Sequence, residues 1–550
     1  MSVEANNAHG ITRRHLLRIV GITAVLPLLA ACQSAPAPGG AAPTSAPAAA
    51  ATTAPAAAAA KPTTAPAAAP TTAPAAAAKP ASAPAAGSAA GRSSAEVAVE
   101  QAKKFSGETL TVTWQSGLQA QDPEVFSGPL FEQQTGVKIK VVELDNEFSK
   151  LTTEYLAGNT QFDVIGDAAP MWMPDLVSVG ALEPLDDYVA KYMNPSDLTD
   201  YLSDVKDLGL WNNKRYGLFD DGDHLLWYYR KDLFADPQNQ SDFKSKFGHD
   251  LGTPKTYSFQ DMLDAAQFFT EKGNGQTFGV GLLTGGTDFN WFQCWFRVNG
   301  GEWFDAETMK PGINSPAALK TMQQMLEAKK YMPPGAETWD AVALFTSYLK
   351  GELAMTSFWP PLGRWAAGYG GRPKQLSFVP ESQVSDKTAY ALLPGKMTEQ
   401  AAGFNLAVWS KSTKKDLAYW FIQWATSPEI SLQRVMLPYA LRDPYRLTHV
   451  DSPQFRAAWK DAPEYLDTLK DAANGKAFID LIIPGVNEYT TAYGEAATAI
   501  LGGGEVQQSL DTAATKWDDI TNRIGRDKQK QNYQFFLNLP NSTLKNMAHQ

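Results

Sequence analysis

The sequence ETLTVTWQS, at residues 108–116, alternates in the manner of a β-strand, and VKIKVVEL follows as a second strand at 137–144. Residues 124–135 and 148–157 fit the helices between strands, and FDVI at 162–165 is a third, short apolar run. This β-α-β-α-β order predicts an α/β fold with a parallel sheet and right-handed crossovers. Ligands of such sheets lie beyond the carboxyl ends of the strands.

A second α/β region follows the first. Its predicted elements are strands at 216–219, 225–229, 353–359 and 404–409, and helices at 256–270, 316–330 and 414–426. Thr256 is expected to cap the first of these helices. The last third of the chain, from Pro453 to about Arg526, is predicted to be mainly helical.

Residues 1–31 have the layout of a secretory signal peptide, with three arginines followed by a short apolar run and two alanines. LAAC at 29–32 matches the bacterial lipobox, which predicts lipidation of Cys32. TRRHLL at 12–17 resembles a twin-arginine export motif, and general secretory export stays open. The alternative is an uncleaved anchor helix with an incidental cysteine.

Residues 33–92 contain no aromatic residue and no Val, Ile, Leu or Met. Such a segment cannot bury enough apolar surface to offset chain entropy, and its frequent prolines prevent a continuous helix. Residues 32–104 are therefore predicted to be a disordered Ala/Pro/Thr tether. All 60 aromatic residues lie from Phe105 onward, which predicts that the folded body begins there.

The folded body is acidic. The net charge is −10, and the residues after Arg92 carry 42 positive and 57 negative charges. This balance argues against nucleic acid as a partner, and it restricts membrane contact to the lipid anchor. The two cysteines, Cys32 and Cys294, form no CxxC pair, which excludes a zinc ribbon and a disulfide framework. Cys294 is predicted to be buried and inert.

Sequence motifs for catalysis are missing. There is no GxSxG, HExxH, Walker A or EF-hand pattern, and the acidic run at 220–223 lacks a distal glutamate. The six histidines have no metal-ligand spacing. We therefore expect no catalytic residue, no metal and no cofactor. The enzymatic alternative is a secreted glycoside hydrolase or lyase, because sequence alone does not exclude a pair of catalytic carboxylates.

Six segments in order resemble the extracellular solute-binding proteins of sugar-import ABC transporters, the group that includes maltose-binding protein. The resemblance covers about residues 105–530. The matching segments are FDVI with VGALEPL (162–165 and 179–185), YGLFDDGD (216–223), YRKDLF (229–234), PKTY (254–257), GELAMT (351–356) and residues 411–428. LRDPYR at 441–446 departs from the family's G-x-x-P loop and carries two additional arginines.

The resemblance implies a two-lobed, periplasmic-binding-protein-like fold (type II) with a hinge that the chain crosses three times. The implied lobe one is 105–221 with 380–430, lobe two is 222–379 with 431–530, and 531–550 is a tail. It also implies a monomer on the extracellular face of the membrane, which captures a sugar or polyol by lobe closure and delivers it to ABC permease subunits. A sugar-sensing lipoprotein without transport is a further alternative.

A sugar offers hydroxyl groups that donate and accept, and C–H faces that stack on aromatic rings. Polar and aromatic residues at strand ends and lobe crossings are therefore the candidate contacts. These candidates are Trp114, Gln115, Asp167, Asp221, Asp223, Trp291, Trp359, Phe404, Asn405, Arg442, Tyr445 and Tyr489. Each has a structural alternative, such as core packing for the aromatic residues, a helix cap for Asp167 and a surface ion pair for Arg442.

Overall fold

Two larger sheets, two two-stranded sheets and the helices packed on them form the described body of the protein. The computed structural model describes residues 92–284, 290–396, 398–400, 403–474 and 477–539, all within one unit, Ala81–Gln550. The strands are β1 Thr109–Gln115, β2 Lys138–Leu144, β3 Val164–Ala168, β4 Leu210–Trp211, β5 Lys214–Arg215, β6 Gly217–Asp221, β7 Leu226–Arg230, β8 Phe278–Gly281, β9 Leu353–Phe358, β10 Thr388–Ala391, β11 Thr398–Gln400, β12 Phe404–Val408 and β13 Ala477–Ile479.

The helices fall between these strands and dominate the C-terminal third. They are α1 Ser94–Ala102, α2 Gly128–Thr135, α3 Glu147–Ala157, α4 Met173–Val179, α5 Asp186–Tyr192, α6 Pro195–Thr199, α7 Lys231–Ala235, α8 Pro237–Phe247, α9 Phe259–Gly273, α10 Asn290–Val298, α11 Pro316–Lys329, α12 Ala341–Leu349, α13 Pro361–Ala366, α14 Lys415–Thr426, α15 Pro428–Val435, α16 Leu447–Val450, α17 Pro453–Arg456, α18 Ala462–Ala473, α19 Val486–Leu501, α20 Val506–Ile524 and α21 Arg526–Asn538.

The first sheet has the strand order β2-β1-β3-β12-β6. β1 is parallel to β2 and β3, whereas β12 is antiparallel to both β3 and β6. Every residue of β3, β6 and β12 is buried, which is typical of strands with both faces covered. The carboxyl ends of β1, β2, β3 and β6 therefore meet the amino end of β12 at one edge of the sheet. This sheet and the helices packed on it, including α1, α2 and α14, are the first lobe.

The second sheet has the order β10-β7-β9-β8. β8 is parallel to β9, and β7 is antiparallel to β9 and β10. Leu226 pairs with Phe358, so the start of β7 and the end of β9 lie side by side just after the chain leaves the first sheet. α9 packs on β8, α11 packs on α9, and α19 and α20 pack on α11. These elements form the second lobe.

The body begins earlier than the sequence predicted. α1 carries a capping box, in which Glu96 N donates to Ser93 Oγ at 3.2 Å and Ser93 N donates to the Glu96 carboxylate at 3.0 Å. Its alanines at 95, 98 and 102 are buried in a core that includes α14. The predicted tether is therefore wrong for residues 94–104, because small alanine side chains let this helix pack closely. Residues 32–91 lie outside the described part of the chain.

Three other predicted boundaries are also wrong. The strand β10 pairs with β7, so residues 388–391 belong to the second sheet, and the chain returns to the first sheet only at β12. α21 continues to Asn538 with Tyr533 and Phe536 buried, so the predicted tail at 531–550 begins too early. Ser258 rather than Thr256 caps α9, because Asp261 N donates to Ser258 Oγ at 3.2 Å.

Within the described ranges, no helix has both the length and the apolar character needed to cross a bilayer. The predicted signal peptide and Cys32 lie outside those ranges.

The position of α1 makes a prediction about truncation. Removing residues 1–91 should leave the free energy of unfolding unchanged, whereas removing 1–104 should lower it by about 2–4 kcal/mol, since buried methyl groups and a capped helix are lost. Urea unfolding measures both. Ser93→Ala removes only the helix cap and should lower the free energy of unfolding by about 1 kcal/mol, between the two truncations. Equal midpoints for the two truncations would contradict the packed position of α1.

Candidate functional site

A guanidinium occupies the edge of the first sheet where the parallel strands end. Arg442, in the segment after α15, is buried and donates to Asp167 at 2.5 Å, Asp221 at 2.8 Å and the Gln119 side chain at 2.9 Å. Its Nε also lies 3.2 Å from Asp220. Arg442 therefore ties this segment to the ends of β3 and β6 at once.

Two aromatic rings enclose the same guanidinium. The Arg442 guanidinium carbon lies 4.9 Å from the Trp114 ring centre and 6.0 Å from that of Phe404. Such contacts contribute about 1–2 kcal/mol when water is excluded. Gly166 allows the Trp114 indole to approach β3 closely, because a Cβ there would come within 2.4 Å of the ring. Trp114 and Phe404 are thus covered by Arg442.

Two further arginines bind the surrounding carboxylates. Arg434, in α15, donates to Asp122 at 2.8 Å and also forms an ion pair with Asp220. Arg364, in α13 of the second lobe, donates to Asp443 at 3.0 Å and to the carbonyl of Ala440 at 2.7 Å. The ion pairs therefore run from the first lobe through segment 440–443 to the second lobe.

The three arginines and five aspartates above, together with the adjoining Asp223, are called the hinge cluster below. The members are Asp122, Asp167, Asp220, Asp221, Asp223, Asp443, Arg364, Arg434 and Arg442. Two backbone features bring them together. Asp167 has a left-handed φ of 45°, which aspartate tolerates better than most residues. At the first crossing, a Cβ on Gly222 would come within 2.4 Å of the Pro444 carbonyl oxygen, so glycine lets the two crossing segments touch.

The hinge cluster holds more carboxyl groups than guanidinium groups, and it is buried. Both features change the pKa values of the carboxyl groups. Burial raises the pKa of Asp221 and Asp223 well above the usual value, and the neighbouring Asp443 raises that of Asp223 further. Burial raises the pKa of Asp443 to about 8, although Arg364 opposes the shift. Burial also raises the pKa of Glu147, beside Asp167. At neutral pH the cluster therefore contains protonated carboxyl groups.

Part of the cluster is accessible. Asp223 is partly exposed, and one oxygen each of Asp221, Asp223 and Asp443 lies within 4.8 Å of the other two. Trp359 is also partly exposed, directly after β9, where its carbonyl accepts a hydrogen bond from the Tyr228 hydroxyl at 3.0 Å. An acidic group and an indole thus remain open beside the lobe crossing.

The structure brings seven of the twelve predicted contacts to the sheet edge that Arg442 occupies. Six are Trp114, Gln115, Asp167, Asp221, Phe404 and Arg442, and the seventh, Asp223, follows Asp221 at the crossing. Gln115 participates through its backbone, which donates to Asp167 at 3.1 Å, while its side chain is half-buried. Trp359 lies after the adjoining strand of the second sheet. Whether any of these residues touches a ligand stays a prediction.

Three other predicted contacts are used in packing. The Asn405 amide donates to the carbonyls of Ala168 and Leu208, both at 3.2 Å. Tyr445 is buried beside Tyr201, with ring centres 5.8 Å apart. Tyr489 is buried in the helical part of the second lobe, where its hydroxyl lies 2.9 Å from Thr521 Oγ1. The side chain of Trp291 lies outside the described residues.

Sequence reasoning missed several members of this region. Asp122, Asp220, Arg434 and Asp443 were not singled out as contacts, and neither was Trp172, a partly exposed indole shortly after β3. Trp172 could have been found by the strand-end rule that selected Asp167. The charged residues carry no such signal, because their partners are more than 200 residues away in the sequence for Arg434 with Asp220 and Arg442 with Asp221.

The two lobes also touch through a carboxylate at a helix end. Asp175 in α4 accepts hydrogen bonds from Gly485 N at 3.0 and 3.1 Å, and Gly485 precedes α19 of the second lobe. The contact places a negative group at the positive end of the helix. Burial nevertheless raises the pKa of Asp175 to about 6.

The arrangement of two α/β lobes around a polar hinge defines a two-lobed, periplasmic-binding-protein-like fold, and solved structures agree. A solute-binding protein from Agrobacterium vitis S4 with bound D-mannitol is 24% identical, with a TM-score of 0.61 over 76% of this chain and 99% of that one. Maltose-bound MalE3 of T. maritima is 19% identical, with a TM-score of 0.61 over 75% of this chain and 100% of that one. The predicted fold class is confirmed.

The family model for bacterial extracellular solute-binding proteins matches residues 107–431, more than half of the chain. A Sinorhizobium fredii protein named as a probable amino-acid ABC transporter periplasmic-binding protein is 26% identical over 384 residues, 68% of this chain and 81% of the relative. The chain belongs to the family of bacterial extracellular solute-binding proteins. The family consists of binding proteins, which confirms the expectation of a protein that is not an enzyme.

Asp175 gives a prediction for pH dependence. Its raised pKa means that the folded state favours the protonated form, so its stabilising contribution is complete below about pH 4 and is lost as pH rises through about 6. Asp175→Asn should remove this dependence and, above pH 6, stabilise the fold by up to about 3 kcal/mol. Thermal unfolding between pH 4 and 8 measures it. Asp187→Asn, at an exposed carboxyl, should keep the wild-type profile, and an unchanged profile in Asp175→Asn would contradict the assignment.

Proposed function

We propose that the protein captures a neutral sugar or polyol at the lobe crossing. The observation that carries this proposal is the partial exposure of two side chains, Asp223 at the first crossing and Trp359 directly after β9, which are called the open pair below. An indole matches the C–H face of a sugar, and carboxyl groups match its hydroxyls. The similarity to proteins solved with D-mannitol, ribitol and maltose supports the same ligand class.

An amino acid is the second candidate, favoured by the name of the S. fredii relative. An amino acid brings a carboxylate, which needs a free cation in the site. In the hinge cluster, however, Arg364, Arg434 and Arg442 are each paired with buried aspartates. The excess of carboxyl groups over guanidinium groups also repels the carboxylate of an amino acid. The charges of the cluster therefore favour a neutral polyhydroxylated solute.

Lobe closure is the proposed mechanism of capture. A solute bound to one lobe gains contacts with the other lobe only in the closed form, so binding shifts the population toward closure by the free energy of those contacts. Lipidated Cys32 and the Ala/Pro/Thr segment would hold the protein at the outer face of the membrane. The closed form would then deliver its solute to the permease of an ABC importer, and a sensing role without transport is the alternative.

Substitutions at the open pair test the ligand site. Trp359→Ala and Asp223→Ala should each weaken binding of the recognised solute by about tenfold or more, since each removes a contact worth over 1 kcal/mol. Calorimetric titration against D-mannitol, ribitol, maltose and D-tagatose measures this. Tyr489→Phe is the matched control and should bind as wild type. Wild-type affinity in both site variants would place the ligand elsewhere, and silence of the wild type across this panel and a wider set of sugars would refute the sugar proposal.

The lipid anchor has its own test. Cys32→Ala should release the protein from membranes, because one cysteine carries the acyl chains that hold it there. Fractionation of expressing bacteria and incorporation of labelled fatty acid measure the effect. Cys294→Ala is the control and should remain membrane-bound. Retention of Cys32→Ala in the membrane fraction would favour an uncleaved anchor helix.

A further inference from the structure

A buried histidine directly follows the partly exposed aspartate of the first crossing. The Nδ1 atom of His224 lies 3.0 Å from the Gly222 carbonyl oxygen, and its Nε2 atom lies 2.6 Å from Asp204 Oδ2. The side chains of His224 and Asp204 are both fully buried. Because neither residue belongs to the hinge cluster, the pair is a second polar contact at the same crossing.

The two partners of the His224 ring determine its protonation. A carbonyl oxygen and an ionised carboxylate only accept hydrogen bonds, so both ring nitrogens must carry a proton. The shared proton belongs to the imidazole, because the ordinary pKa of histidine, about 6.5, is well above that of aspartate, about 3.9. Burial alone would lower the pKa of His224, but the facing charge of Asp204 and the Gly222 carbonyl raise it above its usual value. His224 is therefore an imidazolium at neutral pH.

The imidazolium holds the peptide bond that leads into Asp223. The carbonyl of this peptide belongs to Gly222 and accepts from His224 Nδ1, while Gly222 N donates to the carbonyl of Asp443 at 3.3 Å. The Asp223 carboxyl is in turn hydrogen-bonded to the side chain of Asp443. Since both polar backbone atoms of Gly222 have fixed partners, the direction in which Asp223 leaves the backbone is fixed as well.

Asp204 connects this contact to the second lobe. It lies in the segment after α6, where the neighbouring Ser203 Oγ donates to the carbonyl of Ala473 at 2.8 Å. Ala473 ends α18, which packs on β10 of the second sheet. His224 therefore joins the first crossing to a segment that also contacts the second lobe.

We propose that His224 is a positioning residue of the ligand site, because its Nδ1–H holds the Gly222 carbonyl and so directs Asp223 toward the solute. This inference rests on the proposed function and adds to it a residue that does not itself touch the solute. Asp204 orients the ring and keeps it charged. Without the Nδ1–H, the peptide between Gly222 and Asp223 can rotate, and Asp223 loses the single position from which it meets a hydroxyl group.

Two substitutions separate the two contacts of the ring. His224→Asn places its amide nitrogen where Nδ1 lies, so it can still donate to the Gly222 carbonyl. His224→Gln places its amide nitrogen near the position of Nε2, facing residue 204 instead. Both are combined with Asp204→Asn in the full chain, because a carboxylate without its imidazolium would be buried and unpaired. The two combinations are called the Asn variant and the Gln variant below.

Solute affinity should distinguish the two variants. The Gln variant should bind the recognised solute about fivefold more weakly than the Asn variant, since it lacks one hydrogen bond to the Gly222 carbonyl. Calorimetric titration against D-mannitol, ribitol, maltose and D-tagatose measures this. His249→Gln, which changes a partly exposed histidine 3.0 Å from Asp264, is the control and should bind as wild type. A merely structural His224 would lower the melting temperature of both variants without separating their affinities.

Nitrogen NMR of the histidine rings measures the protonation directly. At pH 7.5 a histidine with the ordinary pKa is about nine-tenths neutral, whereas His224 should show two protonated ring nitrogens. His449 is the internal contrast, because its Nδ1 accepts from Tyr445 N at 3.3 Å and burial holds its pKa well below the usual value. It should be neutral in the same spectrum.

Hydrogen–deuterium exchange tests the peptide without any solute. Exchange over residues 221–225 should be faster in the Gln variant than in the Asn variant. An unprotonated Nδ1 of His224 at pH 7.5, or equal affinities together with equal exchange in the two variants, would overturn the positioning role while leaving sugar binding intact. The expected difference in exchange without binding of any sugar or polyol by the wild type would support the hold on the peptide and count against the proposed function.

Discussion

The buried guanidinium of Arg442 is the interaction on which the hinge depends. It joins the ends of β3 and β6 to the segment that follows α15 through hydrogen bonds to two carboxylates, and it also donates to the side-chain oxygen of Gln119. Taking these charges out of water is expensive, so the net gain in stability is small, yet removing one partner alone costs about 3–5 kcal/mol. The arrangement therefore fixes the geometry of the crossing more than it adds to the free energy of folding.

The same interaction explains how the two lobes share one polar centre. Arg442 ties segment 440–443 to the first lobe, and Arg364 of the second lobe binds Asp443 and the backbone of the same segment. A movement of one lobe against the other must keep or exchange these bonds, because a broken pair would leave a buried charge. Asp175 of α4, which accepts hydrogen bonds from the backbone at the start of α19, adds a second, separate contact between the lobes. The proposed lobe closure would thus be controlled at two places with different chemistry.

The sequence predicted the sheet architecture well because local patterns suffice for it. Alternation in ETLTVTWQS and VKIKVVEL identified β1 and β2, and the helices predicted at 124–135 and 148–157 end where α2 and α3 end. The site was harder, because it depends on side-chain direction at strand ends. The pairing of β12 with β6 shifts register between Phe404 and Asn405, so neighbouring residues face different surroundings. Phe404 meets Arg442, whereas Asn405 bonds the backbone, and no sequence pattern distinguishes them.

The partial protonation of the hinge cluster bears directly on what it can bind. An ionised carboxylate only accepts hydrogen bonds, whereas a protonated carboxyl also donates one. A hydroxyl group does both, so a wall of mixed protonation satisfies a polyol more completely than a fully ionised wall would. Burial supplies that mixture by raising the pKa of Asp443 to about 8 and that of Asp223 well above its usual value. An anionic solute gains the donated hydrogen bonds but meets the remaining negative charge at close range. The proposed selection against anions would then follow from the same buried charges that hold the two crossings together.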